Sequence, residues 1–138
     1  KKNLNYNTFV ILGDGECNEG SVWESALLAN QLKLKNLTAI IDRNNYQQTG
    51  KSSDILDLGN LSSKWKSFGW EIIEINGHNL TEIYQALNVK TDKPKAIIAN
   101  TTKGKGVSFT ENNNEWHHNI LTKKNYDLAI EELNNAKR

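Results

Sequence analysis

Methionine is absent from the sequence, and proline and cysteine occur once each. With no methionine, the expectation is a fragment of a longer chain whose N-terminal part is missing. Cys17 has no partner for an internal disulfide, which fits a reducing, cytoplasmic compartment. No Pro- or Ser-rich stretch divides the chain, so one domain is expected over 1–138, with no second domain. No apolar run approaches the ~18 residues that span a bilayer, and Lys1 to Asn7 lack the apolar core of a signal peptide. Charge is also in balance: a net charge of +1, with scattered lysines, gives no reason to expect nucleic acid or a membrane as partner.

What the sequence does contain is an alternation of short apolar runs and helical stripes. Thr8 to Leu12 is a β-branched and aromatic run stopped by Gly13, and it reads as a buried strand. Val22, Ala26, Leu27, Ala29, Leu32 and Leu34 then recur at helical spacing, with Glu19 and Glu24 early, where carboxylates suit a helix N-terminus. A second strand, Leu37 to Ile41, runs into the polar stretch Asp42-Arg43-Asn44-Asn45. After a loop through Thr49-Gly50, a helix carrying Leu61, Trp65 and Phe68 ends at Gly69. Trp70 to Ile75 is a third strand closed by the turn Asn76-Gly77, and Leu80, Ile83, Tyr84 and Leu87 mark the next helix. Lys95 to Asn100 is a fourth strand, followed by the Gly-rich loop Lys103-Gly104-Lys105-Gly106 and a terminal helix over Leu121 to Leu133. The pattern predicts an α/β fold: a parallel sheet with helices on both faces. The tryptophans and Phe68 are expected to fill the sheet–helix interfaces.

Ligands of such sheets sit at the carboxyl ends of the strands, and the residues with chemistry cluster there. Gly13-Asp14-Gly15 ends the first strand. Its glycines let the backbone turn sharply and approach a bulky ligand, its amides suit phosphate oxygens, and Asp14 offers a hard oxygen. A diphosphate carries more charge than amides alone can hold, so a bridging divalent cation is expected. Asn44 ends the second strand thirty residues after Asp14, and the two strand tips can converge on one ion. The motif has neither the Gly-x-Gly-x-x-Gly nor the Gly-Lys-Ser/Thr pattern of nucleotide sites.

Gly-Asp-Gly followed some thirty residues later by Asn resembles the thiamine-diphosphate enzymes. Gly13-Asp14-Gly15-Glu16, Glu19-Gly20-Ser21-Val22-Trp23-Glu24, Lys33 to Leu37, Ala39 to Asp42, Phe68-Gly69-Trp70, Asn76-Gly77-His78, Lys103 to Gly106 and Trp116-His117 are similar to transketolase. The resemblance runs from about Thr8 to Leu133 and is closest to the N-terminal, diphosphate-binding subunit of two-subunit bacterial transketolases. It implies thiamine diphosphate and Mg²⁺ (or Ca²⁺) as cofactors, the metal being held by Asp14, Asn44 and the backbone carbonyl of Tyr46. Gly13, Gly15, Gln48, Lys103 and His117 would contact the cofactor. Glu19 would meet an acidic residue across a subunit interface near the cofactor's pyrimidine ring, and Glu19 and His117 would serve catalysis. The implied reaction moves a two-carbon ketol unit from a ketose phosphate to an aldose phosphate.

The same resemblance implies a partner, the pyrimidine-binding C-terminal subunit or domain, in a dimer or α2β2 assembly, without which this part is inactive. With the upstream part absent, an apolar sheet edge and helix face are expected to be exposed. The sequence departs from the family pattern at His117-His118-Asn119-Ile120-Leu121, where the family continues with a proline, so either His117 or His118 could face substrate. His78 reads as structural, and Cys17 as packing. The rival readings are 1-deoxyxylulose-5-phosphate synthase, the decarboxylating component of a 2-oxoacid dehydrogenase, or a non-catalytic truncated subunit.

Overall fold

The computed structural model describes residues 6–136, so the reading of Lys1 to Asn7 falls mostly outside the described residues. Four parallel strands, β1 (Thr8–Gly13), β2 (Leu37–Arg43), β3 (Glu71–Asn76) and β4 (Lys95–Asn100), stand in the order β1-β2-β4-β3. The helices are α1 (Gly20–Gln31), α2 (Ser52–Leu56), α3 (Leu61–Ser67), α4 (Leu80–Asn88) and α5 (Lys123–Asn135).

The chain's path explains which face each helix covers. From β1 to β2 and from β2 to β3 the chain steps the same way across the sheet, through α1 and then through α2 and α3. From β3 to β4 it steps back through α4. Right-handed crossovers put forward and backward steps on opposite faces. Packing agrees: Ala26 and Ala29 of α1 and Leu61 and Trp65 of α3 bury Ala39, Ile41, Ala96 and Ile98 on one face. Ala86 of α4, with Ile83 and Leu87, buries Ile75, Ile97 and Ala99 on the other. The expected sheet with helices on both faces is therefore present.

The indole of Trp70, just before β3, donates to the Ala26 carbonyl of α1 at 2.9 Å; Trp65 packs edge-on against it, and Trp23 packs on Trp65 and Phe68. Trp116 departs from expectation. It packs on Phe109, 4.8 Å between ring centres, in the segment after β4 and away from the sheet–helix interfaces. The loop after β2 also differs, because Ser52–Leu56 forms the short helix α2. The terminal helix starts at Lys123, where Thr122 caps it by accepting from the Asn125 N–H, and not at Leu121. A cap with a side-chain oxygen sets a helix start more strongly than the first apolar residue does.

One part of the sheet is bare. On the α4 side, α4 covers β3 and β4, whereas Phe9 and Ile11 of the edge strand β1 are 53% and 72% exposed. Leu27 and Leu28 of α1 are exposed as well. These match the uncovered edge and helix face expected from the sequence. They also correct the reading of Thr8 to Leu12 as a buried strand: Thr8 to Ile11 are exposed, because β1 is an edge strand that α4 does not reach.

Candidate functional site

The register brings the strand tips level. Gly13 lies opposite Asp42, and Arg43 opposite Asn100. The ladder continues one step past β1, the Asp14 N–H donating to the Asp42 carbonyl at 3.1 Å. Asp14 and Asn44 consequently line one cavity of about 410 Å³, together with Tyr46, Ser52 and Thr101.

Asp14 is only 5% exposed. Its two oxygens accept from the Gly15 N–H at 2.8 Å and the Asn45 N–H at 2.7 Å. Burial pushes its pKa above the ordinary carboxylate value; the two N–H bonds pull it back, and the negative Asp42 pushes it up further. Among the described residues no lysine, arginine or histidine forms an ion pair with it; the two ion pairs there lie elsewhere, at Lys105–Glu111 and Lys123–Asp127. Arg43 and Lys51 line the same cavity but stand outside ion-pair distance of Asp14. A buried carboxylate next to another is an expensive arrangement unless a cation completes it.

Asn44 is set by its own neighbours. Its Oδ1 accepts from the Tyr46 N–H at 2.9 Å, and its Nδ2 donates to Asp42 at 3.3 Å. Asn45 holds a left-handed φ of +65°, which turns the chain back at the strand tip. The loop then closes through Gln47 N–H to the Gly50 carbonyl and Ser52 N–H to the Asn45 carbonyl. That pairing leaves the Tyr46 carbonyl without a donor among the described residues. A carboxylate, an amide oxygen and a free carbonyl are oxygen donors of the kind hard divalent cations take. No cluster of three or more His, Cys, Asp or Glu occurs among the described residues, so a metal here would need the amide and carbonyl oxygens.

A side chain at Gly15 would come within 2.7 Å of Gln47 Cγ, so glycine lets Gln47 pack on this turn without a shift, while Gly13 has ordinary contacts only, the nearest at 3.9 Å. The buried Gln47 Nε2 has no hydrogen-bond partner among the described residues, and it stands in the segment that closes over the strand tips. A polar atom left open in this way suits a polar ligand.

A second cavity of about 570 Å³ adjoins the first and shares Asn44 and Thr101 with it. It is lined by Asp42, His78 and Lys103, with Ile11 and Ile40 on the sheet side. Lys103 Nζ lies 3.5 Å from His117 Nδ1, so His117 and not His118 is the histidine brought to this lysine. An ammonium only donates, so the contact needs an unprotonated Nδ1. His78 has a definite task that sequence reading gave it only in general terms: its Nε2 accepts from the Thr102 N–H at 2.8 Å, tying the turn after β3 to the turn before Lys103.

Two predicted residues stand apart. Glu19 lines a separate recess over the α1 side of β1, with Val10 and Leu12; it is the N-cap of α1 with no side-chain capping bond, and its Oε2 accepts from Ser21 Oγ at 3.4 Å. Gln48 is exposed, and its carbonyl accepts from the Asn114 side chain at 3.1 Å. Gly13 donates its N–H to Glu16 Oε2 at 3.1 Å. Cys17 is fully buried and burial pushes its thiol up to about 12, which fits packing and not nucleophilic chemistry. Sequence reading missed Asp42, Thr101 and the Tyr46 hydroxyl, which donates to the Asn112 carbonyl at 2.8 Å. The signal for Asp42 was its place two residues before Asn44, at a strand end.

A doubly covered parallel sheet whose strand tips gather an unpaired carboxylate, an amide and a glycine turn defines an α/β protein with its ligand site at the carboxyl edge. Residues 1–135 match the family described as transketolase, thiamine diphosphate binding domain, and the chain belongs to that family. It is 41% identical over 131 residues to one of the subunits of apulose-4-phosphate transketolase from Phocaeicola vulgatus, covering 93% of this chain and 47% of that protein. The 6-deoxy-6-sulfo-D-fructose transketolase subunit SqwG of Clostridium sp. is 40% identical over 128 residues, 91% of this chain and 46% of the relative. The crystal structure of Campylobacter jejuni transketolase superposes with a TM-score of 0.88 at 32% identity, over 95% of this chain and 21% of that one. The chain thus spans less than half the length of these relatives.

Proposed function

We propose that this chain supplies the diphosphate- and metal-binding part of a transketolase that moves a two-carbon ketol unit from a ketose phosphate to an aldose phosphate. When bound, thiamine diphosphate supplies the nucleophilic carbon and electron sink for breaking and remaking a carbon–carbon bond beside a carbonyl. The chain's own residues bind and orient. Asp14, Asn44 and the Tyr46 carbonyl hold Mg²⁺ (or Ca²⁺), and Gly13 and Gly15 leave room for the diphosphate. Lys103 adds a compact positive charge beside it. His117, kept near Lys103, exchanges a proton with the sugar through its imidazole. Gln48 flanks the cofactor, and Glu19 faces the partner near its pyrimidine end.

The observation that carries this reading is Asp14, a carboxylate 5% exposed with no ion pair among the described residues. Buried charges are paired or coordinate metals, and this one shares its cavity with Asn44 and Tyr46. The named relatives act on a ketose bearing a phosphate or a sulfonate, so the donor class we infer is a ketose with a terminal tetrahedral anion. The partner we infer is a pyrimidine-binding C-terminal subunit or domain, in a dimer or α2β2 assembly. A cytoplasmic setting accords with the lone buried thiol, and no helix among the described residues is long and apolar enough to cross a membrane.

The test is calorimetric titration of thiamine diphosphate with Mg²⁺ into the full-length protein assembled with its partner. Asp14→Ala is expected to abolish the Mg²⁺-dependent part of binding. Unchanged affinity in that variant removes the metal assignment.

A further inference from the structure

Asp42 lines the second cavity and bonds Asn44, which lines both, and it does something the metal reading alone does not require. Its Oδ1 accepts the hydroxyl of Thr101, and its Oδ2 accepts from Asn44 Nδ2 at 3.3 Å. Both oxygens are thus committed, and among the described residues Asp42 has no ion pair. Thr101 is itself fixed, since its N–H donates to the Arg43 carbonyl at 3.1 Å, continuing the β2–β4 ladder beyond its last pair. The chain of contacts therefore runs from the tip of β4, through Asp42 on β2, to Asn44.

The amide of asparagine has two nearly identical ends with opposite chemistry. Its oxygen can ligate a cation, whereas its NH₂ group presents hydrogens and repels one. A half-turn about the last side-chain bond exchanges them at little steric cost. A carboxylate only accepts, so an Asn44 bonded to Asp42 must turn its NH₂ that way. The Tyr46 N–H, 2.9 Å from Asn44 Oδ1, enforces the same choice from the other side. That oxygen keeps a second lone pair, and Asn44 and Tyr46 both line the cavity that holds Asp14.

We propose that Asp42, held by Thr101, is a positioning residue that fixes the polarity of the Asn44 amide so that its oxygen, and never its NH₂, faces the metal. The inference rests on the metal reading above. Removing outer groups of this kind typically costs about 10–100-fold in metal affinity.

The experiment is titration of Mg²⁺, at fixed thiamine diphosphate, into the full-length protein with its partner. Asp42→Asn keeps the shape but lets the new amide face Asn44 by either end, and Mg²⁺ affinity is expected to fall about 10–100-fold. The melting temperature without metal and cofactor is expected not to fall, since the neutral amide also relieves the repulsion between Asp42 and Asp14. Thr101→Val is expected to weaken Mg²⁺ in the same direction, and Thr101→Ser, which restores the hydroxyl, to recover it. That pair changes no charge, and it carries the test if Asp42→Asn fails to fold. Wild-type Mg²⁺ affinity in Asp42→Asn and Thr101→Val, alongside failure of Asp14→Ala, overturns the role of Asp42 and leaves the metal site standing. A loss in Asp42→Asn matched by an equal loss of metal-free stability also overturns it. Normal Mg²⁺ binding in Asp14→Ala would instead remove the reading on which both rest.

Discussion

Lys95 opens β4 with its side chain turned inward, only 4% exposed. Its ammonium donates to the carbonyls of Ala86, Leu87 and Val89 at 2.7, 3.0 and 3.0 Å, so it finishes the C-terminus of α4 where the helix leaves its last carbonyls open. Burial lowers its pKa, but the three acceptors replace the water it lost. Lys95→Met is expected to destabilise the protein by about 1–3 kcal/mol, seen as a lower urea midpoint with an unchanged slope. An unchanged midpoint would mean water satisfies those carbonyls equally well. No pattern in the sequence signals this, because a lysine at a strand start ordinarily reads as exposed. The same limit applies to Asp42. Asp14 and Asn44 were legible because each ends a strand with a ligand-type oxygen, whereas the role of Asp42 depends on which end of a neighbouring amide it holds.

At the scale of elements, the strands were readable to within a residue or two. Each is a short β-branched run with a glycine or polar stop, and in-register parallel pairing follows from that pattern. The short helix α2 escaped because Ser52, Ser53 and Asp54 read as loop residues; its start is set by the pairing of Tyr46 with Lys51. The helix α5 lacks a buried side chain, and Glu132 ties it to the segment after β4. Glu132 accepts from the Ser108 N–H at 2.6 Å and from the Ser108 hydroxyl. Those bonds, the hydroxyl first, hold its pKa below the ordinary glutamate value. A carboxyl whose folded pKa is depressed stabilises the fold above its unfolded value, and that contribution disappears as pH falls through the folded one. Amide exchange in α5, corrected for intrinsic rates, is therefore expected to accelerate as pH drops below the ordinary glutamate range. Glu132→Gln is expected to lose that dependence. Equal protection at both pH values would show that α5 is held some other way.

Across the whole molecule, one geometric fact organises the rest: parallel strands in register end together, so a turn after β1 and a turn after β2 must meet. Reversal of the chain's direction at β3 then sends α4 to the opposite face. The side of β1 that carries Phe9 and Ile11 is left bare by this arrangement. The placement of Glu19 was the least legible feature, since its recess lies over the other side of β1 and its proposed neighbour belongs to another chain. The most direct measurement is anomalous diffraction from crystals of the full-length assembly grown with thiamine diphosphate and Mn²⁺ in place of Mg²⁺. The expected result is one metal peak bonded to Asp14, the Asn44 oxygen and the Tyr46 carbonyl. A peak elsewhere, with Asp14 and Asn44 turned into different spaces, would contradict the metal site.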